Sequence, residues 1–361
     1  HWPNFFPHWI AVVHVTSMGN CQCFEGFGTP AKKDGFKVCI CGGATSIGQQ
    51  LALLMATNSM VKELSVYDLE GSMVPAEGVA ADLSHLEFPC KVKAYSLPAQ
   101  ARPARDLPAA CLEGCSLVLV TAGVPRKPSQ SKKDLMQVNG GIAKLVVEAC
   151  ARRCPEAIVG LIVNPVNSVV PAMARLYEKK GLDPKKILGV TTLDVVRANK
   201  FVYEATGVPV DSINVPVIGG HAGKSVLPLF SQEKACASLS LELRKSLDAR
   251  VQDAGAEIVR AKSGKGSATL SLGYAGYLLG SAVLNGLSGN RATECAYVKS
   301  EVTELPFFAS PVTFGPRGVE RVHRLPGLDA YEKERLKEAK AILQEEIKIG
   351  LDYADSTELA I

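Results

Sequence analysis

The stretch FKVCICGGATSIGQQLALLMATN, residues 36–58, decides how this chain folds. FKVCIC is a short β-type run, GGATSIG a glycine-bearing turn, and LALLMATN continues at helical spacing. A strand that passes through glycines directly into a helix gathers free N–H groups and the positive end of the helix dipole at one point. Such a point holds a pyrophosphate. ELSVYD (63–68) reads as a second strand, closed by Asp68 about 20 residues beyond the turn, where an acidic side chain accepts hydrogen bonds from a ribose. A carboxylate there repels a 2′-phosphate, so the pattern implies NAD rather than NADP. The candidate cofactor contacts are Gly42, Thr45, Ile47, Gly48 and Asp68. Thr45 departs from the pattern, because it stands where a glycine lets the backbone approach the phosphates. Its side chain either narrows the pocket or bonds a phosphate through its hydroxyl.

Outward from this unit, strands and helices alternate. AEGVAADLSH (76–85) reads as a helix, KVKAYS (91–96) as a strand and residues 97–108 as a Pro/Ala/Arg loop. SLVLVTAG (116–123) is a buried strand, residues 134–154 form an amphipathic helix, and AIVGLIVNP (157–165) is another strand. This is an α/β pattern: a doubly wound parallel sheet of Rossmann type, with helices on both faces. Beyond about residue 190 helical stretches (192–205, 240–262, 269–288, 328–350) mix with short strands in SINVPVIGG, ECAYVK and PVTFGPRGVE. That is α+β character. The expected organisation is an unstructured extension over 1–35, a dinucleotide-binding domain over 36–190 and a catalytic or substrate domain over 191–361.

Composition excludes several function classes. A net charge of +4, without basic runs that interleave aromatics, argues against nucleic acid. Eleven cysteines form an odd set with no histidines at metal-ligand spacing, which points away from a disulfide framework or a metal site. It points instead to a reducing compartment, here the cytoplasm. No run of about 18 apolar residues reads as a membrane span. Residues 1–17 lack the basic start of a secretory signal. If translation begins at Met18, Gly19 followed by Cys21 and Cys23 resembles a myristoylation and palmitoylation signal, which gives membrane association as the alternative.

Chemistry concentrates in three further segments: VNPVN (163–167), TTLDVVRANKF (191–201) and VIGGHAG (217–223). Asp194 and Arg197 are i and i+3 and share a helix face. His221 sits in a glycine turn just after a strand. A histidine oriented by a carboxylate exchanges a proton near neutral pH, and an arginine beside it grips a carboxylate with two hydrogen bonds. A fourth segment, GVPRKPSQSKKD (123–134), is a cationic loop without an apolar anchor.

In this order NPVN, TTLDVVRAN, PVIGGHAG, AGVPRKP and GSATLSLG resemble the NAD-dependent malate dehydrogenases of mitochondrial and bacterial type, within the wider lactate/malate dehydrogenase family. The resemblance spans roughly residues 36–350. It implies His221 as proton donor and acceptor, Asp194 as its orienting partner and Arg197 as the clamp on the substrate's C1 carboxylate. It further implies Asn164 near nicotinamide and substrate, Asn139 on the cofactor side, and Ser267 and Thr269 in a stretch that closes over the substrate. The cationic loop matches the mobile loop that closes over oxaloacetate, with Arg126 on the distal carboxylate. A homodimer or homotetramer, with malate and oxaloacetate as small-molecule partners, is implied as well.

The loop also departs from the family. Ser129 and Gln130 replace a Gly-Met pair, and Lys132 stands where a second arginine polarises the carbonyl. Lysine keeps the charge but gives up the planar fork. Two competing readings follow: a dehydrogenase whose altered loop accepts other 2-oxo acids, and, from Thr45 and Lys132, a non-catalytic relative that binds metabolites. Arg126 opposes the first, and the retained His221, Asp194 and Arg197 oppose the second.

Overall fold

The computed structural model describes residues 35–98, 107–124 and 131–361. The first half runs β1 (Phe36–Cys41), α1 (Ser46–Ala56), β2 (Val61–Leu69), α2 (Ala76–Leu83), β3 (Lys91–Leu97), α3 (Ala109–Leu112) and β4 (Cys115–Val120). It continues with α4 (Lys132–Arg153), β5 (Ile158–Leu161), α5 (Val166–Lys179) and β6 (Ile187–Val190). The six strands are parallel in the order β3-β2-β1-β4-β5-β6. Chain order reverses between β1 and β4, so the loops leaving these two strands open a crevice at the C-terminal edge of the sheet.

The second half contains α6 (Thr192–Thr206), β7 (Val217–Gly219), β8 (Val226–Pro228), α7 (Leu241–Ala261), α8 (Leu270–Leu287), β9 (Ala292–Lys299), β10 (Phe307–Gly315), β11 (Gly318–Val322) and α9 (Ala330–Asp355). The sheet does not stop at residue 190. Antiparallel β9 pairs with β6 through Gly189–Tyr297 and Val190–Ala296, and β10, β7 and β8 extend it.

Helices cover both faces, as the alternating pattern predicts. Leu51 of α1, Val79 of α2 and Leu279 of α8 are buried against one face, with Val38, Ile40 and Leu119. Met136 of α4, Val169 of α5 and Leu343 of α9 are buried against the other, with Cys39, Val118 and Val159. That second core also takes up Cys41, Cys111, Cys115, Cys150 and Cys154, and Cys39 Sγ lies 3.3 Å from Cys111 Sγ. Thiols here serve as small apolar fillers.

Four elements escape the sequence reading, the short α3 and β8 among them. The short β6 offers only ILGV, and α5 carries Pro171 in its interior, which reads as a breaker. Pro171 has no N–H to give to the carbonyl of Asn167, and the buried Tyr297 hydroxyl donates to that carbonyl instead, at 3.4 Å. The carbonyl that the proline leaves without its helical donor thus finds one on β9.

Candidate active site

The glycine turn after β1 is built for close approach. Gly42 has φ +87°, and a Cβ there would lie 2.5 Å from the Ala122 nitrogen of the neighbouring loop. A Cβ on Gly48 would lie 2.1 Å from the Gly42 carbonyl oxygen, so only glycine lets α1 start against the turn. Thr45 is the N-cap of α1: its Oγ1 accepts from Gly48 N–H at 3.0 Å and donates to the Gly42 carbonyl at 2.7 Å. The alternatives left open for Thr45 thus take a third form, since its hydroxyl is turned onto the protein as a cap. The amides of Ser46 and Ile47, next in line, have no hydrogen-bond partner among the described residues.

Asp68 stands at the end of β2 and accepts from Ala44 N–H at 2.9 Å and Leu69 N–H at 2.8 Å. Its carboxylate is thereby fixed to the turn itself. On the next strands, Asn139 of α4 accepts from Val124 N–H at 2.8 Å and donates to the Val124 and Asn164 carbonyls at 3.0 and 2.7 Å. It ties the loop after β4 to the loop after β5. Asn164 is exposed at that edge, next to the cis Asn164–Pro165 bond.

The candidate acid/base group comes from two elements of the second half. Asp194 lies in the first turn of α6, immediately after β6, and is 2% exposed. His221 follows β7. Its Nδ1 lies 2.6 Å from Asp194 Oδ2, which makes Nδ1 the protonated nitrogen and leaves Nε2 for a substrate. Arg197 Nη1 lies 3.5 Å from Asp194 Oδ1. Burial pulls the Arg197 guanidinium below its usual range despite the favourable pull of Asp194. A desolvated cation whose bonded carboxylate is shared with a histidine can receive another anion.

The backbone of His221 is held too: its N–H donates to Asn167 Oδ1 at 2.9 Å. Gly220 makes room for this, since a Cβ there would lie 2.7 Å from the Asn167 amide. Lys132 begins α4, and its ammonium bonds the Glu346 carboxylate of α9. Arg126, Ser129 and Gln130 lie outside the described residues, as do Gly19, Cys21 and Cys23. Before α8, the Ser267 carbonyl and the Thr269 hydroxyl both face the Lys262 ammonium, at 2.7 and 3.4 Å.

The structure thus brings Asp194, Arg197 and His221 together and joins Asn139 to Asn164. Two residues of the site were not singled out from sequence. Asn167 closes the quoted VNPVN and could have been found there. Glu346 had no signal, because one glutamate in a charged amphipathic helix reads as solvated surface.

Comparison with known proteins agrees along the chain. Residues 36–189 match the lactate/malate dehydrogenase NAD binding domain, and residues 191–354 the alpha/beta C-terminal domain of the same family. The mitochondrial malate dehydrogenase of Chlamydomonas reinhardtii is 45% identical over 92% of this chain and 87% of its own length. Mitochondrial malate dehydrogenase 1 of Arabidopsis thaliana is 48% identical over 88% of this chain and 91% of its own. The fold matches the apo malate dehydrogenase of Picrophilus torridus with a TM-score of 0.77 at 24% identity, over 89% of this chain and 99% of that one. The chain belongs to the lactate/malate dehydrogenase family.

Proposed function

We propose that the protein is an NAD-dependent malate dehydrogenase, which interconverts (S)-malate and oxaloacetate. The observation that carries this reading is the buried cluster of Asp194, His221 and Arg197, an oriented acid/base beside an under-compensated cation. The turn at Gly42–Gly48 fits the cofactor: its glycines let the turn pack against α1 and the loop after β4, two amides of α1 have no partner among the described residues, and Asp68 is fixed beside it. NAD, when bound, supplies the hydride acceptor for malate oxidation. The residues 36–190 hold it, and 191–361 carry the acid/base and the substrate clamp.

Each remaining task falls to the chain's own groups. Arg197 holds the C1 carboxylate with its planar fork. His221 Nε2 takes the proton from the C2 hydroxyl as the hydride leaves, and returns it in the reverse direction. Asp194 keeps the ring in the tautomer that has Nε2 unprotonated, and stabilises the imidazolium once it forms. Arg126, in the cationic segment 123–134, takes the distal carboxylate, and Asn164 and Asn139 order the edge of the crevice on the nicotinamide side.

Self-association as a dimer or tetramer is part of this reading. Leu53 of α1 and Leu270 and Tyr274 of α8 are exposed apolar side chains on helices in close contact, where a Cβ on Gly273 would lie 2.8 Å from Gln50 Cβ. Light scattering of the intact chain checks it. Similar proteins are named mitochondrial and glyoxysomal. Among the described residues no helix is long and apolar enough to cross a membrane. The buried thiols favour the cytoplasm or another reducing compartment, and acylation at Gly19, Cys21 or Cys23 is the alternative. Mass spectrometry of the native N-terminus separates them.

The activity is tested by following NADH oxidation with oxaloacetate, pyruvate and phenylpyruvate. Preference for oxaloacetate is expected. Preference for a monocarboxylate, or no turnover on any of the three, would sink the reading.

A further inference from the structure

A chain of contacts runs behind the catalytic histidine and ends at a charge pair that no reaction step uses. Glu346 is 3% exposed, on the inner face of α9. Its Oε1 receives the Lys132 ammonium from the start of α4, and its Oε2 accepts from Asn167 Nδ2 at 2.6 Å. The other end of the same Asn167 amide accepts the His221 N–H at 2.9 Å, and Nδ2 also donates to Ser225 Oγ at 3.1 Å. One carboxylate thereby connects the helix that follows the cationic loop with the turn that carries His221.

The geometry leaves Glu346 little freedom. α9 is locked onto α5, since a Cβ on Gly350 would lie 2.0 Å from the Ser168 carbonyl oxygen. The Glu346 carbonyl accepts from Ser168 Oγ at 2.7 Å. With its backbone clamped and both oxygens engaged, the side chain couples the position of α9 to Asn167 in the first turn of α5. Asn167 is itself 1% exposed and pressed against Gly220. A carboxylate buried this deeply is costly without a countercharge, and Lys132 is the cation bonded to it.

We infer that Glu346 is a positioning residue for His221, acting through Asn167, and that Lys132 is its countercharge rather than a contact to the substrate. This rests on the malate dehydrogenase reading. It also explains why lysine is suitable at residue 132: a point charge completes a carboxylate whose other oxygen is already occupied, without requiring a planar fork.

A double-mutant cycle in the intact enzyme tests it. Glu346→Gln removes the charge at constant shape, and its amide cannot accept from both Lys132 and Asn167. It should lower kcat about tenfold, the order expected when a catalytic group is slightly misplaced. The KM for oxaloacetate and the Kd for NADH should stay within about twofold, a split that general loss of structure would not give. Glu346→Asp, which keeps the charge, should recover part of kcat. Lys132→Gln should lower kcat in the wild-type background and add nothing in the Glu346→Gln background.

If Lys132→Gln costs the same factor in both backgrounds, Lys132 acts on the substrate independently and the countercharge role is overturned. If Glu346→Gln leaves kcat unchanged, or weakens NADH binding in step with kcat, the positioning role is overturned. A wild type without oxaloacetate turnover would overturn the activity and this inference together. An active wild type with an indifferent Glu346→Gln overturns the inference alone.

Discussion

His221 Nδ1 and Asp194 Oδ2 stand 2.6 Å apart, joining a glycine turn after one strand to the first turn of a helix after another. The carboxylate is almost fully buried and takes the Arg197 guanidinium on its second oxygen. Asp194 therefore selects the ring tautomer and bridges the two groups proposed to meet the substrate. Asp194→Asn should keep the shape but lose the tautomer preference, lowering kcat by about 10²–10⁴. Steady-state oxaloacetate reduction measures it; a loss below threefold would remove Asp194 from that role.

Specificity should depend on Arg126. If it pairs with the distal carboxylate, Arg126→Gln should reduce kcat/KM for oxaloacetate by roughly 1.5–3 kcal/mol, the worth of a charged hydrogen bond. Pyruvate, which lacks that carboxylate, should be affected far less. Equal losses on the two substrates would exclude the arginine from substrate choice.

Thr45 is a helix cap, and this changes what its replacement should do. Drift from an ancestral glycine would predict that Thr45→Gly tightens NAD binding. The cap geometry predicts no tightening, because the hydroxyl is directed to Gly48 N–H and the Gly42 carbonyl. Thr45→Ala should cost about 1 kcal/mol in urea unfolding and Thr45→Gly only a few tenths. Calorimetric titration with NADH checks the binding half; clearly tighter binding by the glycine variant would restore the drift account.

Asp68 should set the choice between the two nicotinamide cofactors. Its carboxylate is held at the turn by Ala44 N–H, so a 2′-phosphate would meet a fixed charge rather than one that swings away. Two charges roughly 4 Å apart interact by about 1–4 kcal/mol between bulk water and a protein surface. Asp68→Asn should therefore raise the NADPH/NADH ratio of kcat/KM by about tenfold or more. An unchanged ratio would show that selectivity resides elsewhere.

The sequence alone determined the parallel sheet and the cofactor turn, and it singled out His221 and Asp194, which the fold brings to hydrogen-bond distance. These features are local: strand-turn-helix grammar repeats within a few dozen residues, and a histidine in a glycine turn is visible without a partner. Helix α5 was hidden because its proline reads as a breaker, and the donor that meets the freed Asn167 carbonyl is Tyr297, far along the chain. The role of Thr45 was open because a hydroxyl beside a glycine turn has several acceptors, and only the fold shows which lies at hydrogen-bond distance. Glu346 illustrates the limit most clearly. As a residue in a charged helix it reads as solvated surface, and it becomes a buried partner of Asn167 and Lys132 because α9 is seated on α5 with Gly350 against Ser168. Contacts between residues that distant depend on how helices dock, and docking is a property of the assembled core rather than of any one segment.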